Sequence, residues 1–128
     1  MTSPGSASRI RWCGDSNTVI RGWPPDVRFN IGGDLDRLEN QLEPLDFGSM
    51  GKALPGTYEL RDRDATRWYR VLYVHLGGLI YVLHCFTKTT NQTAQSDINI
   101  ARDRLKALNE EISDRRKEAK HGKEKKRR

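Results

Sequence analysis

At 128 residues the chain is long enough for one domain built on a single two-layer core, and no apolar run approaches the roughly 18–20 residues of a membrane span. The net charge of +6 is unevenly placed, because Arg115 to Arg128 holds nine Lys/Arg against Glu118 and Glu124, a balance of +7 that leaves the rest of the chain at −1. That excludes a uniformly basic nucleic-acid-binding body, so a phosphate-binding surface on the folded part has to come from local clustering.

Residues 1–8 read as a flexible Gly/Ser/Pro arm without the apolar centre of a secretory signal, consistent with a cytoplasmic protein. Arg9 to Cys13 is a strand candidate, with Ile10 and Trp12 on one side and Arg9 and Arg11 on the other. A polar connector follows. Pro24-Pro25 then opens a helix whose apolar positions Val27, Ile31, Leu35 and Leu38 trace one face. Gly32-Gly33 in its middle predicts a bend or a split into two helices. From Gln41 to Pro55 periodicity is lost, which reads as a loop.

Thr57–Arg61, Arg67–His75 and Leu79–Lys88 are rich in aromatic and β-branched residues and predict an antiparallel meander. Gly77-Gly78 supplies the positive-φ pair that a tight hairpin needs. Strand alternation sorts the side chains: if Tyr58 and Tyr69 face one core, then Glu59, Arg61 and Arg70 meet on the other face beside Trp68 and Leu72. A charged cluster on such a face is either a site or a solvated surface carrying an ordinary Glu59–arginine salt bridge. The face occupied by His84 is left open by the pattern.

Beyond Lys88, Thr93 is a candidate N-cap with Asp97 in the first turn, and Ala94, Ile98, Ala101, Leu105, Leu108 and Ile112 form a helical stripe suited to packing on the sheet. Residues 113–128 read as a basic, disordered tail. Cys13 and Cys85 sit in apolar runs and read as buried free thiols, a single bridge being the alternative. His75, His84 and His121 have no metal-ligand spacing, and neither a glycine-rich phosphate loop nor a nucleophile with a readable base occurs, so no cofactor is expected. The expected architecture is α+β, with an antiparallel sheet of about four strands, N-terminal helices and a long C-terminal helix.

Four blocks narrow the choice further: Leu54-Pro55-Gly56-Thr57-Tyr58-Glu59-Leu60-Arg61, Trp68-Tyr69-Arg70-Val71-Leu72-Tyr73, Tyr81-Val82-Leu83-His84-Cys85-Phe86-Thr87-Lys88, and Asp97 to Leu105. In this order they resemble the HigB branch of the RelE/ParE toxin superfamily, in particular its phage-derived members, across roughly residues 9–112. The resemblance implies a type II toxin that cuts mRNA on the ribosome without metal, partnered by a helix-turn-helix antitoxin in a possible hetero-oligomer. It also implies roles. Arg61 and Arg70 match the basic strand positions that would stabilise the phosphorane, Glu59 or His84 would move protons, and Lys88, with Arg63 and Arg67, would hold RNA phosphates. Where relatives tend to carry two further lysines and a proline after the last strand, this chain reads Thr89-Thr90-Asn91-Gln92-Thr93-Ala94, which weakens phosphate binding there unless the basic tail compensates. The alternative is a non-nuclease on the same scaffold, either a DNA gyrase inhibitor or a partner-binding phage protein. A third class is a small RNA-binding accessory protein working through the tail.

Overall fold

The computed structural model describes residues 8–126, with side chains through Lys120, so the expected N-terminal arm lies almost wholly outside the described residues. The elements in chain order are β1 (Ile10–Trp12), α1 (Ser16–Arg21), α2 (Pro25–Glu39), β2 (Phe47–Ser49), β3 (Thr57–Arg63), β4 (Trp68–Leu76), β5 (Leu79–Lys88) and α3 (Gln95–Lys126). They form an α+β architecture around a mixed five-stranded sheet of order β1-β5-β4-β3-β2, in which β1 runs parallel to β5 and all other neighbours are antiparallel.

The meander closes as its residues dictate. Leu76 pairs with Leu79 across a two-residue turn in which Gly77 and Gly78 have φ of 58° and 79°. The fifth strand was not legible. Phe47–Ser49 falls in the stretch expected to be loop, and three residues are too few to show alternation. It pairs with β3 because Phe47 packs against Tyr58 and the bare Gly48 leaves room for Arg61, whose Nη1 would stand 3.2 Å from an added Cβ. Residues expected as a connector likewise fold into the short α1.

Both faces of the sheet are covered, which replaces the expected two-layer core with two separate cores. On one face Val27, Ile31, Leu35 and Leu38 of α2 are buried against Leu60, Tyr69, Val71, Tyr73 and Val82, each contributing about 1.5–3 kcal/mol relative to exposure. The helix is unbroken through Gly32-Gly33 because both glycines point to solvent with open space around them, where their entropic cost is offset by the buried stripe opposite. On the other face Ala101 and Leu108 of α3, with Ile98, Leu105 and Ile112, pack on Leu72, Val74, Leu83 and Phe86.

The α3 backbone begins one residue beyond the predicted start: the carbonyl of Ala94, not a Thr93 cap, accepts from the Asp97 and Ile98 N–H groups. Its residues 113–126 continue the helix rather than leaving it, helped by good helix formers and the Glu111–Arg115 pair, and the side chains of 113–120 are exposed. Cys13 and Cys85 belong to different cores and are free thiols; burial pushes the Cys85 thiol up to about 12.

Candidate functional site

Register places the charged residues together. Arg61 lies opposite Arg70, Arg70 opposite Phe86, and Trp68 between Arg63 and Lys88 in neighbouring strands. Glu59, Arg61, Arg63, Trp68 and Arg70 all project from the α3 face of the sheet, as alternation along β3 and β4 requires. Simple alternation along β5 would put His84 with Ile80 and Val82 on the α2 face. A β-bulge prevents this: Tyr73 pairs with Val82 but Leu72 pairs with His84, so Leu83 is an extra residue and everything after it is turned over. His84 and Phe86 thereby join the arginines.

Glu59 is held by two cations, Arg70 Nη1 at 2.6 Å and Arg61 Nη1 at 3.7 Å. Arg61 is further fixed by Asp46 Oδ1 at 3.0 Å and by the Phe47 carbonyl at 2.7 Å. The Arg70 Nη2 donates to both the backbone oxygen of Asn91, at 3.1 Å, and its side-chain oxygen. The guanidinium groups of Arg63 and Arg70 lie 4.6 and 5.5 Å from the centre of the Trp68 ring.

A second ionic hub sits beside the first. Asp97, in the first turn of α3, accepts from His84 Nε2 at 2.8 Å and from Lys88 Nζ at 2.7 Å. Burial on its own would raise the Asp97 carboxyl, but the bonds from Lys88 and then His84 outweigh it and leave its pKa below the usual value. The His84 ring stacks on Phe86 with centroids 5.1 Å apart, and its buried Nδ1 has no partner among the described residues.

Accessibility divides this cluster. Arg70 is 5% exposed, His84 7% and Glu59 8%, whereas the Arg61 side chain is 36% exposed, Lys88 is half-buried and Arg63 is open to solvent. The structure thus joins six of the seven candidates, Arg61, Arg70, Glu59, His84, Lys88 and Arg63, on one face. Arg67 is not with them: it lines a hollow with Trp23, Pro24, Asp64 and Tyr69 on the α2 side. There Asp64 accepts from the Tyr69 hydroxyl and from the Thr66 and Arg67 N–H groups, bringing its pKa down to about 2. Asn91 and Asp97 were not foreseen as members. Asp97 carried only the signal of a first-turn acid, and nothing in linear spacing announces contacts to β5.

Chemically, the cluster offers three guanidinium groups and a lysine for phosphate oxygens, a carboxylate anchored between Arg61 and Arg70, and an aromatic plane for a base. Among the described residues no group of three His, Cys, Asp or Glu side chains is arranged to hold a metal ion. The model of a family described as phage derived protein Gp49-like (DUF891) matches residues 18–106, which include the whole cluster. No curated protein and no solved structure matches the chain. With the match running from α1 into α3 and taking in β2 to β5, the chain belongs to the Gp49-like family of phage-derived proteins.

Proposed function

We propose that this Gp49-like protein is a HigB-type toxin of the RelE/ParE superfamily that cuts ribosome-bound mRNA and is restrained by a helix-turn-helix antitoxin. The observation that carries the reading is the occupant of the Arg70 fork. Both oxygens of Asn91 accept from the Arg70 Nη2 while Nη1 is held by Glu59, so Nη2 is the position a phosphate oxygen would take in place of Asn91, and Arg61 opposes Arg70 across β3 and β4. An RNA phosphate exchanging with Asn91 would meet Arg70, Arg61 and the exposed Arg63, with Trp68 available for a base.

Attack of the ribose 2′-oxygen on the adjacent phosphorus forms one P–O bond and breaks the bond to the leaving 5′-oxygen. Glu59 takes the 2′-hydroxyl proton, the arginines stabilise the doubly charged phosphorane, and the protonated Glu59 returns that proton to the leaving 5′-oxygen as the 2′,3′-cyclic phosphate forms. His84 acts in this scheme through position, since its Nε2 is committed to Asp97 and its Nδ1 is buried.

The test is induction in a bacterial host of the wild type, Arg61→Ala and Arg70→Lys, reading growth and mRNA 5′ ends. Arg70→Lys keeps a charge beside Glu59 while removing the fork, which separates chemistry from folding. Each variant is expected to lower cleavage by about 10²–10³-fold, the usual effect of losing one oxyanion donor. Growth arrest with unaltered mRNA ends would overturn the nuclease.

One observation favours a second reading, a partner-binding protein on the same scaffold. Arg70 and Glu59 are buried and satisfied by each other, as a structural ion pair is. On that reading Arg70→Lys changes stability and leaves the mRNA ends alone.

A further inference from the structure

On the opposite face of the sheet and at its other end lies a cavity of about 470 Å³, within the size range of small-ligand sites. Phe47, Tyr58, Tyr73 and His75 form a row along its wall, with successive ring centroids 6.5, 5.9 and 5.7 Å apart. Leu38 and Ile80 close its apolar side, while Gln41, Arg9 and Glu43 stand at its polar side.

Tyr73 points to a ligand in particular. The residue as a whole is 1% exposed, but its hydroxyl opens onto the cavity and has no protein hydrogen-bond partner among the described residues. Burial pushes that phenol up to about 12, so it remains a neutral donor and acceptor. Its hydrogen-bonding capacity is therefore available to a polar group placed in the cavity. Gln41, held at φ 61° where the chain turns out of α2, brings a carboxamide to the same space. Arg9 makes no ion pair among the described residues.

We infer that this cavity binds a nucleobase carrying a single phosphate. The aromatic row supplies stacking, Tyr73 and Gln41 read the polar edge of the base, and Arg9 meets the phosphate. The Glu43 carboxylate on the same rim disfavours a polyphosphate chain. The shared chemistry fits either a free mononucleotide or an unpaired base of RNA, and the site does not depend on the nuclease reading, since its test is binding and not cleavage.

The test is calorimetric titration of the full chain with AMP, GMP, CMP and UMP and with a six-nucleotide single-stranded RNA, each repeated on Tyr73→Phe and Arg9→Ala. Saturable one-to-one binding is expected. Tyr73→Phe should weaken it about five- to tenfold, the worth of one neutral hydrogen bond, while leaving the melting temperature unchanged because no protein partner is lost. Arg9→Ala should weaken a nucleotide more than its nucleoside. Binding of mononucleotides identifies the free-ligand source, and binding of the oligonucleotide alone identifies RNA; both support the site. No saturable binding of any probe, or binding that Tyr73→Phe leaves at wild-type strength, overturns it.

Discussion

Removing the Arg70 guanidinium would strand the Glu59 carboxylate at 8% exposure with only the more distant Arg61 at 3.7 Å. An uncompensated buried charge of this kind costs about 3–5 kcal/mol, so Arg70→Ala is expected to lose that much in urea denaturation. Replacing both partners by apolar residues, Arg70→Met with Glu59→Leu, should cost clearly less than Arg70→Ala alone, because neither charge is then left unmatched. An inactive Arg70→Ala protein would therefore say little about cleavage until its fold had been checked. Asp97 gives a second expectation at the same scale. Its carboxyl is depressed in the folded protein, so it adds stability above the ordinary value of 3.8, and that contribution is lost as pH falls through the lower folded value. Wild-type stability should consequently fall more steeply below pH 3.8 than that of Asp97→Asn, as acid denaturation followed by circular dichroism would reveal.

Among the elements, β5 decides whether a charged face exists at all. One additional residue, Leu83, reverses the alternation, so His84 and Phe86 meet α3 while Val82 and Cys85 stay with α2. Deleting Leu83 would remove the bulge yet leave His84 and Lys88 on the α3 face, at the cost of a fully buried side chain in the α3 core, whereas Leu83→Val conserves the bulge. The deletion is expected to cost about 2–5 kcal/mol, as the loss of a buried leucine side chain does, and the substitution about 0.5–1.5 kcal/mol, both read by thermal melting. The same bulge explains why the face of His84 was not readable. A bulge is recognised from its pairing partner, here Leu72 and Tyr73 of β4, and has no signature within β5 itself. In contrast, the β4–β5 turn was readable because Gly77-Gly78 imposes its geometry locally.

For the molecule as a whole, the two helices and the two cores make the sheet a partition. The charged cluster lies on the α3 side, and the aromatic cavity on the α2 side at the far end. The exposed stretch of α3 over residues 113–120 belongs to neither. Deleting Glu118 to Arg128 removes six of the 23 Lys/Arg, and the side chains of residues 118–120 are exposed. Stability should change by less than about 0.5 kcal/mol. On the proposed ribosome-dependent reading, the same deletion should make the slope of log K against log salt for ribosome binding shallower.

What the chain's own order of residues determined was whatever depends on local period and turn chemistry. That covers the buried stripe of α2 at Val27, Ile31, Leu35 and Leu38, the three meander strands, the hairpin glycines, and the shared face of Glu59, Arg61 and Arg70. The tertiary structure alone decided the parallel seating of β1, the pairing of β2, the bulge at Leu83, and the closure of Asn91 over Arg70 and of Asp97 over His84 and Lys88. Those contacts join residues whose separation along the chain carries no periodic signal, and their free energy comes from burial and charge pairing that exist only once the sheet has brought them together.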